Sequence, residues 1–121
     1  STSEPPPTTH EEGTAMLVSF QVEGGFANQM RSIVIARDGT ATTEVSGLIS
    51  EKQLDETTVE TIVAELDRSG LFDEDRTYPA EGADLQRFEI RYAGATLVAF
   101  DTTMPSALAE AVRLLEGAIR N

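Results

Sequence analysis

Residues 16–45 read MLVSFQVEGGFANQMRSIVIARDGTATTEV, and this stretch decides the fold class. Val18, Phe20 and Val22 alternate with Ser19, Gln21 and Glu23, the period of two that marks a half-buried strand over Met16–Glu23. Gly24-Gly25 interrupts that strand. A second runs from Gln29 to Arg37, with Ile33 and Ile35 on one face and Ser32, Val34 and Ala36 on the other. Asp38-Gly39 is a hairpin signal, and a type I′ turn with positive φ at both residues is expected there. Thr40–Val45, rich in β-branched Thr and Val, supplies the third strand. Three sequential antiparallel strands follow from this pattern.

Downstream the period changes. Val59, Ile62, Val63 and Leu66 lie at i, i+3, i+4 and i+7, one apolar face of a helix. Asp55 is its candidate N-cap, Glu56 sits near its positive end, and Gly70 suits its C-terminal closure. Leu71 and Phe72 are expected to tuck back into the core. The polar segment Asp73–Gln86, with Pro79 and Gly82, reads as a long loop. Phe88, Ile90 and Tyr92 then alternate with Arg87, Glu89 and Arg91; Ala93-Gly94 turns the chain, and Thr96–Asp101 returns. Pro105 suits the first turn of a last helix with Thr103 as candidate cap, and Leu108, Val112, Leu115 and Ile119 as its apolar face. The expectation is one α+β domain over residues 16–121, an antiparallel sheet in the order β-β-β-α-β-β-α with both helices packed on one face.

Composition narrows the function. The 121 residues carry 9 Lys and Arg against 21 Asp and Glu, a formal charge of −12. Nucleic-acid binding needs clustered cations on phosphates, so it is not expected. The absence of Cys excludes thiol catalysis, disulfides and cysteine-ligated zinc. A single His, His10, excludes a two-His metal site within one chain and is poorly placed for a Ser-His-Asp triad. No pair among the acids has a spacing that singles it out as a hydrolytic couple. The chain therefore reads as a binding or inhibitory module rather than an enzyme, and no cofactor is implied.

Residues 1–15, STSEPPPTTHEEGTA, lack apolar periodicity and are expected to form an extended tether. Ser/Thr/Pro-rich segments of this kind resemble those that follow the lipidated Cys of bacterial lipoproteins. That resemblance implies an exported protein, extracellular or held at the bacterial cell surface through a removed, lipidated N-terminal segment.

The most unusual local sequence is Glu23-Gly24-Gly25-Phe26-Ala27-Asn28, which places a bulky aromatic inside a short connection. Either the glycines allow a tight turn while Phe26 plugs the core, or the loop protrudes and Phe26 enters a partner's pocket. A strand ending in Gly-Gly-Phe-Ala resembles the opening of the emfourin family, small bacterial protein inhibitors of thermolysin-like M4 zinc metallopeptidases. The passage Gly82-Ala83-Asp84-Leu85-Gln86-Arg87-Phe88-Glu89-Ile90 and the Asp101–Leu115 stretch opened by Pro105 are similar too, so the likeness spans Leu17 to Ile119. Asn28 stands where the family's loop has a further glycine.

The resemblance implies a monomeric inhibitor whose partner, a thermolysin-type peptidase, contributes the zinc, so that this chain needs no metal ligands of its own. On that reading Gly25-Phe26 lies substrate-like in the cleft, Phe26 fills the apolar pocket, and Gly24, Ala27, Asn28 and Met30 flank it. An alternative puts a carboxylate of the acidic loop Asp73–Asp84 on the zinc. The chief competing function is a tethered extracytoplasmic binding module that inhibits nothing. A large apolar pocket between sheet and helices would favour ligand binding, and a convex loop would favour inhibition. Calcium binding at Asp73-Glu74-Asp75 fails, because an EF-hand loop would need Gly and Glu where Tyr78 and Asp84 stand. The acidic residues Glu51, Asp55, Glu56, Glu60, Glu65 and Asp67 read as a solvated face.

Overall fold

The computed structural model describes residues 16–25 and 29–120; the expected tether over residues 1–15 lies outside the described residues. Strands β1 (Met16–Gly24), β2 (Gln29–Ala36), β3 (Thr40–Val45) and β4 (Leu48–Gln53) come first, followed by helix α1 (Glu56–Ser69). Strands β5 (Arg76–Thr77), β6 (Gln86–Tyr92) and β7 (Ala95–Phe100) precede a 3-10 turn at Ser106–Leu108 and helix α2 (Ala109–Arg120). All seven strands join one sheet in the order β4-β3-β2-β1-β6-β7-β5. The protein is α+β as expected, but the sheet is not the five-stranded antiparallel one. It gains β4 and β5, and β5 pairs parallel to β7, which makes it mixed.

The alternation that marks β1 buries Val18, Phe20 and Val22 on one face. Register carries that face across the sheet: Phe20 opposes Ile33 and Ile90, and Ile90 opposes Leu97. Ile62 and Leu66 of α1, Leu108, and Ala111, Leu115 and Ile119 of α2 complete the same buried cluster. Each large aliphatic or aromatic side chain removed from water there contributes about 1.5–3 kcal/mol. The other sheet face, with Gln21, Glu23, Val34, Thr42 and Arg91, carries no helix and stays partly or fully exposed.

Local details refine the reading. Asp55 holds extended geometry at the N-cap of α1 without a side-chain cap bond, and Gly70 closes the helix at φ 68°. Phe72 enters the core and Leu71 packs against it. Asp38-Gly39 does not form the expected type I′ turn, since only Gly39 has positive φ, at 92°. The Gly39 N–H donates to Ala36 O at 3.0 Å, and the Asp38 carboxylate accepts from the Thr40 N–H at 2.9 Å. That first bond closes a turn with Arg37 and Asp38 at its centre, so the connection is three residues long and only Gly39 takes the left-handed region. The two-residue turns with positive φ at both positions are Ser46-Gly47 and Ala93-Gly94. Thr103 does not cap α2; its hydroxyl accepts from the Phe100 N–H at 3.1 Å and turns the chain after β7.

Candidate functional site

The two glycines end the central strand. Gly24 pairs with Gln29 on one side and with Gln86 on the other, and φ is 91° at Gly24 and 83° at Gly25. A Cβ on Gly24 would sit 2.9 Å from Leu85 O, and one on Gly25 would sit 2.7 Å from Gln86 Cγ. Glycine is thus required twice over, by backbone conformation and by space. The Gly25 N–H donates to Leu85 O at 2.9 Å, so the base of the loop is fastened to the segment entering β6. That segment is fastened in turn: the Asp101 N–H donates to Gln86 O at 3.2 Å, and the Thr102 hydroxyl donates to Glu81 O at 2.6 Å. The close approach made by these glycines is to the chain's own Leu85 backbone and Gln86 side chain. Phe26, Ala27 and Asn28 lie outside the described residues.

Met30 faces the helix-free side of the sheet opposite Glu23, half-exposed. Beside it the Ser46-Gly47 turn is held by the Ser46 N–H donating to Met30 O at 3.0 Å. This turn brings Val45, Leu48 and Ile49 to the same end of the sheet as the glycine loop. Leu48 is 77% exposed and Ile49 70%, unusual for large aliphatic residues in a strand. Val45 and Leu48 stand on the helix-bearing face and Met30 and Ile49 on the helix-free face, so exposed apolar residues straddle the sheet at this end. Sequence reasoning missed it; the available signal was Ser-Gly between Val45 and Leu48.

The acidic loop is divided by the fold. At the start of β7, Asp75 accepts from the Thr96 N–H at 2.9 Å, and Asp73 pairs with Arg76 at 2.9 Å. The Arg76 hydrogen bond holds the Asp73 carboxyl below the usual carboxylate range. Glu81 and Asp84 lie instead toward the glycine end, so no single site gathers Asp73–Asp84. Among the described residues no group of three or more His, Cys, Asp or Glu could hold a metal ion. On the helix-free face burial pushes the Glu89 carboxyl up, but hydrogen bonds from Arg87 and Arg91 outweigh it and leave the group lowered. This ladder neutralises the middle of that face.

The space between sheet and helices is filled: Phe20, Ile33, Ile62, Leu66, Leu97, Leu108 and Leu115 are wholly buried. A cleft of about 440 Å³ opens at the surface instead, between β4, α1 and α2, with Lys52, Asp55 and Arg113 in its wall. It is a polar notch rather than a ligand pocket in the core. No model of a known protein family matches the chain, and no curated protein matches it.

Proposed function

We propose that this chain is a protein-binding module that docks through the glycine-loop end of its sheet, and that its partner is a thermolysin-like zinc metallopeptidase whose cleft it obstructs. The observation that carries the docking reading is the juxtaposition of a backbone-fastened Gly24-Gly25 base with exposed Met30, Val45, Leu48 and Ile49. Exposed aliphatic side chains gathered at one end of a sheet, beside a connection, mark protein contact more than solvation. The choice of a peptidase partner comes from the Gly-Gly-Phe-Ala resemblance.

In this mechanism Phe26 enters the apolar pocket that such enzymes present just after the scissile bond. Ala27, Asn28 and Met30 flank the cleft, while Leu48 and Ile49 cover its rim. Because Gly24 and Gly25 are already held on Leu85 and Gln86, the base of the loop loses little freedom on docking. The chain performs no chemistry; the zinc belongs to the target. An extracellular or cell-surface setting, with residues 1–15 as leash, belongs to the same reading.

The test is a titration into several thermolysin-like peptidases with an unrelated zinc peptidase as control. Selective stoichiometric inhibition is expected. Phe26→Ala should weaken it strongly while thermal stability stays unchanged; an equal loss of stability would assign Phe26 to the core instead. Absence of inhibition at micromolar excess would leave a binding module that inhibits nothing.

A further inference from the structure

The two edges of the sheet differ. At one, β5 is only two residues long, and Pro79 follows it closely. A two-residue strand and a proline leave little to pair with. At the other, β4 runs for six residues and pairs only with β3. Val45 and Leu48 flank the two-residue turn as a hydrogen-bonded pair, so Leu48, Ser50 and Lys52 direct their backbone groups to β3. Ile49, Glu51 and Gln53 therefore turn their N–H and C=O groups outward, with no strand beside them among the described residues.

Neither a proline, a bulge nor an outward lysine blunts this edge. Lysine often guards such strands. Here Lys52, the sole lysine of the chain, donates to Ala118 O at 2.7 Å and is drawn under the sheet toward the last turn of α2. Leu48 and Ile49 stand exposed at one end of the edge. Glu51 is exposed two residues along, on the same face as Ile49, and Glu44 lies directly opposite Ile49 in β3.

We infer that β4 is a strand-acceptor edge for an extended, cationic-aliphatic peptide segment of a partner protein. The segment adds antiparallel to β4 through the outward backbone groups of Ile49, Glu51 and Gln53. It sets an aliphatic residue against Ile49 and an Arg or Lys against Glu51, two positions apart on one face. Charge decides against a second copy as the occupant: each chain carries −12, and symmetric pairing would bring two acidic edges together. The inference stands apart from the peptidase reading, because it concerns backbone pairing at β4 and not the Gly24–Asn28 loop.

The test uses the full chain, labelled with nitrogen-15, and two synthetic hexapeptides, acetyl-Thr-Thr-Arg-Thr-Val-Ile-amide and its counterpart with Glu in place of Arg. Amide shifts are followed to millimolar peptide at low salt. The Arg peptide should move the amides of Ile49, Glu51 and Gln53 and bind about fivefold or more tighter than the Glu peptide. Glu51→Pro removes one outward donor while sparing the bonds to β3, and should abolish the shifts. Glu51→Lys should reverse the preference between the peptides without changing thermal unfolding, which keeps the test valid if the proline variant fails to fold. Four results would overturn the inference: no shifts, shifts centred elsewhere, equal binding of both peptides, or concentration-dependent dimerisation through the same amides without peptide.

Discussion

The two ends of the sheet differ less in how their connections are fastened than in what they leave exposed. At the β2–β3 end, Asp38 accepts from the Thr40 N–H, and the Gln53 amide donates to Asp38 O at 2.8 Å. Tyr92 donates to Asp67 at 2.7 Å and Asp75 accepts from Thr96 at the same end. At the glycine-loop end the fastenings include Gly25 N–H to Leu85 O, Ser46 N–H to Met30 O and Asp101 N–H to Gln86 O, with the Thr102 hydroxyl donating to Glu81 O. Among the described residues, four of the six exposed large hydrophobic side chains, Met30, Val45, Leu48 and Ile49, gather at this second end; Met16 lies at the first and Val34 in mid-sheet. Both ends therefore use main chain and polar side chains to hold their connections. What sets the second apart is the exposed apolar side chains gathered there.

The largest way to break this contrast is at the glycines. Gly24→Ala forces a Cβ to 2.9 Å from Leu85 O at φ 91° and should cost about 2 kcal/mol or more. Denaturant unfolding measures it; a loss under about 0.5 kcal/mol would mean the backbone fastening is slack. Next comes the ion pair joining β2 to α2, in which Arg31 donates to both Glu116 oxygens at 2.7 and 2.6 Å. Both side chains are mostly buried, so Glu116→Gln should cost about 1–2 kcal/mol. Adding salt should recover none of that loss.

At the opposite end Tyr92→Phe should cost about 0.5–1 kcal/mol, because the lost bond to Asp67 is partly solvated. It also carries a pH signature. Burial and then the Asp67 hydrogen bond push the Tyr92 phenol up from its ordinary 10 to about 12. Between those values the folded chain keeps a proton that the unfolded chain releases, so stability is full below pH 10 and falls as pH rises toward 12. Tyr92→Phe should remove that fall, which unfolding curves across this range would reveal. The smallest expected effect on stability is Leu48→Ser, within about 0.5 kcal/mol for so exposed a site. A larger loss would show that the hairpin tip serves folding rather than contact.

Much of the fold was legible because burial writes a period into the chain. Val18, Phe20 and Val22 alternate since their strand is central, and Ile62 and Leu66 share a face since α1 covers the sheet. β4 was not legible for the converse reason. An edge strand with little buried on either face has nothing to enforce alternation, so Leu-Ile-Ser-Glu-Lys-Gln shows none. β5 depends on a parallel partner twenty-one residues away in sequence, Arg76 against Leu97, and two residues carry no pattern. Asp38-Gly39 misled because the connection also includes Arg37, and a three-residue connection needs positive φ only at its last residue, Gly39. At the candidate site, Gly24-Gly25 could be read as a special connection. That Val45, Leu48 and Ile49 would stand beside it, exposed, required the strand order.

The most direct measurement compares one altered chain from each end of the sheet in a titration of a thermolysin-like peptidase. Phe26→Ala combined with Leu48→Ser alters the glycine-loop end, and Tyr92→Phe alters the other. The first should lose inhibition by about tenfold or more with thermal unfolding unchanged, while the second inhibits like the unaltered chain despite its lower stability. Full inhibition by the loop-end variant, or loss of it in Tyr92→Phe, would contradict the assignment of docking to the glycine-loop end.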